Sequence, residues 1–202
     1  MRRALPVLAV VLISCSSDST GLPPLGGGGT NFQYSFADPV GDTLPPPANV
    51  FQRALDVASV RVGLTSDSIF VKFEFTSAIS RWSERALNSI DGFVDFDFDN
   101  NSATGYPAAT EEFGDVNADM GVESYFSLRD DGLGHMGRRD GDVLDWRMVP
   151  VEFQDRSFTI RFARADVAET DGKFRISAMI GGTDRLITDL VPGAGHHRVG
   201  AQ

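Results

Sequence analysis

Period-two alternation of apolar and polar residues dominates the chain from about residue 31 onward. Val60, Val62 and Leu64 alternate with Ser59, Arg61 and Gly63. After the polar stretch Thr65-Ser66-Asp67-Ser68, Ile69, Val71, Phe73 and Phe75 alternate with Phe70, Lys72, Glu74 and Thr76. Successive side chains of a strand point to opposite faces, so two such runs joined by a short polar turn predict a β-hairpin. The runs 143–153 and 157–163, bridged by Gln154-Asp155-Arg156-Ser157, predict a second. In it Phe158, Ile160 and Phe162 share one face and Thr159 and Arg161 the other. Further strands are predicted near residues 32–36, 91–98, 121–128 and 173–181. Helical pattern is weak: a short helix over 79–89 and a single turn over 164–168. About eight short strands with turn-rich joints predict an all-β fold, an antiparallel β-sandwich. Fifteen phenylalanines suit a core between two sheets. No repeat or second boundary divides the chain, so 31–198 is predicted as one domain. The polar stretch from Gly193 reads as uninformative tail, with 199–202 outside the domain.

The first thirty residues follow another pattern. Arg2 and Arg3 precede an apolar stretch, Ala4 to Ile13, too short to span a bilayer. It ends in Leu12-Ile13-Ser14-Cys15. This resembles the lipobox of bacterial lipoproteins, in which a small residue precedes a cysteine that becomes lipid-modified and N-terminal. An ordinary signal peptide with a chance cysteine is the alternative. Cys15 is the only cysteine, which excludes an intramolecular disulfide and an all-cysteine metal site. The resemblance implies a signal peptide over 1–14, a lipidated Cys15, and a flexible Gly/Ser-rich linker through residue 30. As a coil that linker spans about 20 Å. A lipid anchor places the domain in the cell envelope. Ser16, rather than an acid, after the cysteine favours the outer membrane of a diderm bacterium.

Charge narrows the partners. Acids outnumber bases 28 to 18, for a net charge of −10. Loss of residues 1–14 removes two arginines and no acid, so the mature chain is more negative still. A nucleic-acid partner would need a basic face and is excluded. Anionic headgroups would repel such a chain, so acyl chains must do the anchoring.

The stretch from Asp91 to Gly105 carries the most chemistry. As a strand it points Val94, Phe96 and Phe98 into the core and Asp95, Asp97 and Asp99 to the opposite face. Same-face neighbours lie about 7 Å apart, where carboxylates repel by roughly 0.6 kcal/mol in water and about 2.4 at an effective dielectric of 20. A cation turns that repulsion into attraction, and calcium takes six to eight oxygen ligands in flexible sites. Asp97-x-Asp99-x-Asn101 has the spacing that curls oxygens around one ion. It is not an EF-hand: Ser102 stands where the loop glycine would be, and Ala108 where the closing glutamate would be. A second oxygen-rich run follows, Asp115-x-Asn117-x-Asp119 and then Glu123. The predicted ligands are Asp97, Asp99 and Asn101 foremost, Asp119 next, then Asp95, Asp115 and Glu123. A solvated acidic face is the competing interpretation.

Asp97-Phe98-Asp99-Asn100-Asn101-Ser102-Ala103-Thr104-Gly105, with Asp119-Met120-Gly121-Val122-Glu123 downstream, resembles the DOMON-like and family 9 carbohydrate-binding-module superfamily. Phe36-Ala37-Asp38-Pro39-Val40-Gly41-Asp42 resembles the start of that family's domains, and Asp56 fits the acid that enters their first long strand. The resemblance spans about residues 34 to 195. It implies a secreted β-sandwich, a structural calcium, and, in the sugar-binding branch, aromatic side chains that clamp a sugar ring. Trp82, set among polar residues, and Tyr106 are the candidate ligand contacts. Tyr125 is a further aromatic. Trp146 shares a face with Leu144 and Met148 and reads as core. A haem role is disfavoured, since of His135, His196 and His197 two lie near the C-terminus.

Catalytic signatures are missing from the sequence. Gly132-Leu133-Gly134-His135-Met136-Gly137 matches a dinucleotide fingerprint but lacks a helix after it, and reads as a hairpin loop. The acids fall in metal-type runs, none set in an apolar pocket that would raise its pKa for acid catalysis. The expectation is a non-catalytic, calcium-stabilised envelope lipoprotein that binds a carbohydrate or a partner protein. The alternative is a structural or assembly lipoprotein with no small-molecule ligand.

Overall fold

A computed structural model describes residues 31–44, 54–108, 117, 119–128, 133–140, 143–167, 171–182 and 186–200, with backbone alone over 133–140 and 143–147. The signal peptide, Cys15 and the linker lie outside the described residues, as does Asp115. The strands are β1 (Tyr34–Ala37), β2 (Val57–Leu64), β3 (Ser68–Phe75), β4 (Ile90–Asp97), β5 (Ser124–Ser127), β6 (Leu133–Asp140), β7 (Val143–Gln154), β8 (Ser157–Ala163), β9 (Phe174–Gly182), β10 (Ile187–Val191) and β11 (His197–Val199). Every pairing between them is antiparallel.

The ladder runs β1-β2-β3-β8-β7-β6-β5-β4-β9-β10, with β11 also on β9. It folds into two facing sheets, and β7 belongs to both. Its first part pairs with β6 as far as Pro150, and Val151 to Gln154 pair with β8. Both predicted hairpins are present, β2–β3 and β7–β8. The fold is the all-β sandwich that alternation implies.

The inward faces meet in one core. Val60, Val62, Val71, Phe73, Phe158, Ile160 and Phe162 come from the first sheet, and Val94, Phe96, Phe126, Phe174 and Ile176 from the second. Phe73 stacks on Phe158 at 4.9 Å within the first sheet, and Phe96 meets Phe162 edge-on at 5.3 Å across the gap. Burying each such ring contributes about 1.5–3 kcal/mol.

Three local expectations are corrected. Residues 79–89 form no α-helix; only Trp82–Glu84 make a 3-10 turn. Arg85 then adopts a left-handed conformation at φ 52°. The Ser89 hydroxyl accepts from the Ala86 N–H and donates to the Arg81 carbonyl, so side chains compete with the helix for the backbone. Leu133 to Gly137 are strand, not loop: β6 is held between β5 and β7, and ladder pairing on both sides outweighs the poor strand propensity of glycine. The stretch after Gly193 is not all tail. β11 pairs with β9 through His197, Arg198 and Val199, and Val199 is buried in the core. Strand β10 also went unpredicted.

Candidate metal centre

Val94 and Phe96 of β4, and Phe98 just past its end, enter the core, as alternation requires. Asp95 and Asp97 take the outer face but are buried, at 3% and 0% exposure, while Asp99 is exposed. The chain leaving β4 folds back over that face. There Ala108, Met120 and Val122 form a small second core with Tyr125.

Polar turns shape this excursion. Asn100 sits at φ 58°, a left-handed conformation that asparagine tolerates. The Asp99 carboxylate accepts from the Asn101 N–H at 2.9 Å, and the Asn101 side-chain oxygen accepts from the Ala103 N–H at 3.1 Å. Gly121 must be glycine: a Cβ there would overlap the carbonyl oxygens of Asn101 and Thr104. These contacts fold the two halves of the excursion onto each other and bring Glu123 to the end of β4.

Carboxylate oxygens of Asp97, Asp99 and Glu123 all lie within 4.8 Å of one another. Asp97 Oδ2 accepts from Arg175 Nη1 at 3.1 Å and from the Gly121 N–H at 3.4 Å. Asp97 Oδ1 is buried and makes no hydrogen bond. Burial pushes this carboxyl up, against the lowering pull of the Gly121 N–H, the Arg175 guanidinium and the Asn100 N–H. Burial likewise raises Glu123, with the Asp99 charge adding to it and the Phe98 N–H and Thr104 hydroxyl opposing. Thr104 Oγ1 lies 2.9 Å from Asp99 Oδ2, 3.1 Å from Glu123 Oε1 and 2.8 Å from the Asn101 carbonyl. A hydroxyl has one hydrogen, so it serves one of these acceptors at a time. The pocket is therefore rich in oxygen and short of donors, which suits a hard cation. Among the described residues this acidic group could hold a metal ion.

The predicted ligands divide. Asp97, Asp99 and Glu123 are brought together. The Asn101 side-chain oxygen accepts from the Ala103 N–H and so shapes the turn beside the carboxylate group. Asp119 turns away: its side chain is 57% exposed and lies 3.4 Å from His196 Nδ1. Its backbone carbonyl instead accepts from Arg175. Asp95 lies one same-face step along β4, opposite Tyr125 of β5 and Ser177 of β9, and outside the group. After burial itself, its charge is the next cause of the raised Tyr125 hydroxyl. Arg175 escaped prediction. It lies 78 residues from Asp97 and meets it only through the β4–β9 register, which no local pattern announces.

The aromatic candidates do not converge. Trp82 is half-buried, with the Arg85 guanidinium 3.4 Å from its ring centroid. It follows Ser80, which bridges Ser89 just before the start of β4. Tyr106 is 39% exposed and bridges Val122, beyond the end of β4. An eight-residue strand, about 26 Å, separates the two ends. The Trp146 side chain lies outside the described set. Comparison with family models, with curated proteins and with solved structures returns no match.

Proposed function

We propose that this chain is a lipid-anchored, non-catalytic β-sandwich of the bacterial cell envelope that binds calcium and presents its loops to a carbohydrate or a partner protein. One observation carries the calcium: the fully buried Asp97 has an oxygen with no hydrogen bond, beside Asp99 and Glu123. Leaving such an oxygen unsatisfied costs about 1–3 kcal/mol or more, which a cation would recover. The ion would hold residues 98–123 against the outer face of β4 and fix the surface they present. The sequence resemblance to DOMON-like and family 9 carbohydrate-binding domains supports the same picture. The placement of Trp82 near one end of β4 and Tyr106 near the other gives no support to a two-ring clamp built from this pair. It favours a broad contact with a partner protein, and so keeps the structural or assembly lipoprotein as the second reading.

A thermal melt tests the calcium. The stripped protein is heated in EDTA, in millimolar calcium, and in magnesium as control. At 100 times its dissociation constant a ligand of the folded state adds about 2.7 kcal/mol, roughly 5–10 °C for a domain of this size. Asp97→Ala should reduce that gain. A protein shown by elemental analysis to be metal-free, with no calcium-specific rise, would refute the site. Unchanged calcium affinity and stability in Asp97→Ala would refute its ligands. The anchor has its own check. Cells fed labelled palmitate should label the wild-type chain and not Cys15→Ala; label retained by that variant would defeat the anchor.

A further inference from the structure

A different group of acids lies at the edge of the sandwich where β1 and β2 meet β10. We infer that Asp38, Asp42, Asp56 and Asp189 form a second site for a divalent, oxygen-preferring cation, best suited to calcium, which clamps the two sheets together at that edge. Oxygens of Asp38, Asp42 and Asp189 all lie within 4.8 Å of one another. Asp56 is tied to the same turn, accepting from the Gly41 N–H at 3.1 Å.

The group is more than a patch of surface acid. Asp38 is 4% exposed and neither of its carboxylate oxygens makes a hydrogen bond. Asp189 is 1% exposed; its Oδ2 accepts from the Val57 N–H at 2.7 Å, and its Oδ1 makes no hydrogen bond. Three carboxylate oxygens are thus buried without a donor in one place. Burial comes first among the causes that raise these carboxyls, Asp38 to about 7 and Asp189 to about 8, and among the described residues every neighbouring charge that acts on them is another carboxylate. An ion pair does not explain such an arrangement, because no described side chain supplies the positive charge. A dication does.

Position gives the site its role. On one side of the sandwich β7 runs from sheet to sheet and joins them covalently. On the other the sheets meet through polar contacts. Thr188 Oγ1 accepts from the Leu55 N–H at 3.1 Å, the Leu44 N–H donates to the Thr188 carbonyl at 2.8 Å, and Phe36 of β1 stacks on His197 of β11 at 4.6 Å. Asp38 and Asp56 flank β1 and β2, and Asp189 is on β10, so one ion would bind both sheets. Asp42 is exposed and lines an open cavity of about 450 Å³ with Pro39, Leu44, Leu190 and Pro192, which gives an ion a way in.

Calorimetric titration of calcium into the stripped protein tests this. With both sites present the wild-type chain should bind a second ion beyond the one at Asp97. Asp189→Asn should lose one ion per chain, or bind it at least about tenfold more weakly, and Asp99→Asn should lose the other. The asparagine keeps the size of Asp189 and an oxygen for the Val57 N–H, so the fold should persist by circular dichroism. If it does not, Asp38→Asn, whose oxygens make no hydrogen bond, and the exposed Asp42→Asn carry the same readout. Unchanged stoichiometry and affinity in these variants would overturn the second site and leave the first untouched. A single ion lost in Asp189→Asn but kept in Asp99→Asn would support this site and sink the one at Asp97.

Discussion

Phe96→Ala should cost about 3–5 kcal/mol of stability, the range for removing a buried phenylalanine. Phe96 is fully buried on β4. Its ring stacks on Phe98 at 5.5 Å and 1°, meets Phe162 of the opposite sheet at 5.3 Å, and lies 6.1 Å from Phe174 of β9. Truncation would leave a cavity walled by three rings, one just past β4, one on β8 and one on β9. A domain is stable by about 5–15 kcal/mol in all, so this one change would remove about a fifth of it or more. Urea titration should show a lower midpoint with an unchanged slope. Leu87→Ala, at a residue 66% exposed, should move stability by less than about 0.5 kcal/mol. If Phe96→Ala lost no more than Leu87→Ala, the inter-sheet core would be wrongly placed.

That core was legible because its strands each bury one face. Val60, Val62, Phe158 and Phe162 declare themselves by alternation, and a slip of one residue would turn them all to solvent. Strand β10 was not legible for the opposite reason. In Ile187-Thr188-Asp189-Leu190-Val191 the four residues after Ile187 are buried, so no period-two signal forms, and a buried aspartate reads as a turn. The metal loop was legible in part. Asp97 and Asp99 are local in sequence and fall together as the spacing implied. Asn101 has the spacing of a ligand, yet its oxygen closes the turn. Glu123, ranked with Asp95 and Asp115 behind the others, completes the group because the chain is back at the end of β4 when it reaches that residue. Asp38, Asp42 and Asp56 stood out only as a family-like opening, and Asp189, which joins them, lies more than a hundred residues away.

Arg175→Met should destabilise the metal-free protein by about 3–5 kcal/mol, the usual loss when one partner of a buried ion pair is removed. Asp97 is fully buried, and Arg175, whose own side chain is only 15% exposed, supplies its positive charge from the facing position of β9. Methionine keeps much of the apolar bulk, so the loss should report charge rather than volume. In saturating calcium about 1.4 kcal/mol or more of it should be recovered, because the ion neutralises the same carboxylate. Calcium should also bind at least about tenfold more tightly to the variant. A dication and a guanidinium about 8 Å apart repel by roughly 4 kcal/mol at an effective dielectric of 20, and relief of a third of that gives the tenfold gain. Melts with and without calcium, together with a titration, measure both quantities. The two effects must appear together, since affinity gained and stability restored are the same linkage seen from two sides. A variant equally weakened in EDTA and in calcium, with wild-type affinity, would mean that Asp97 answers to Arg175 alone and holds no ion.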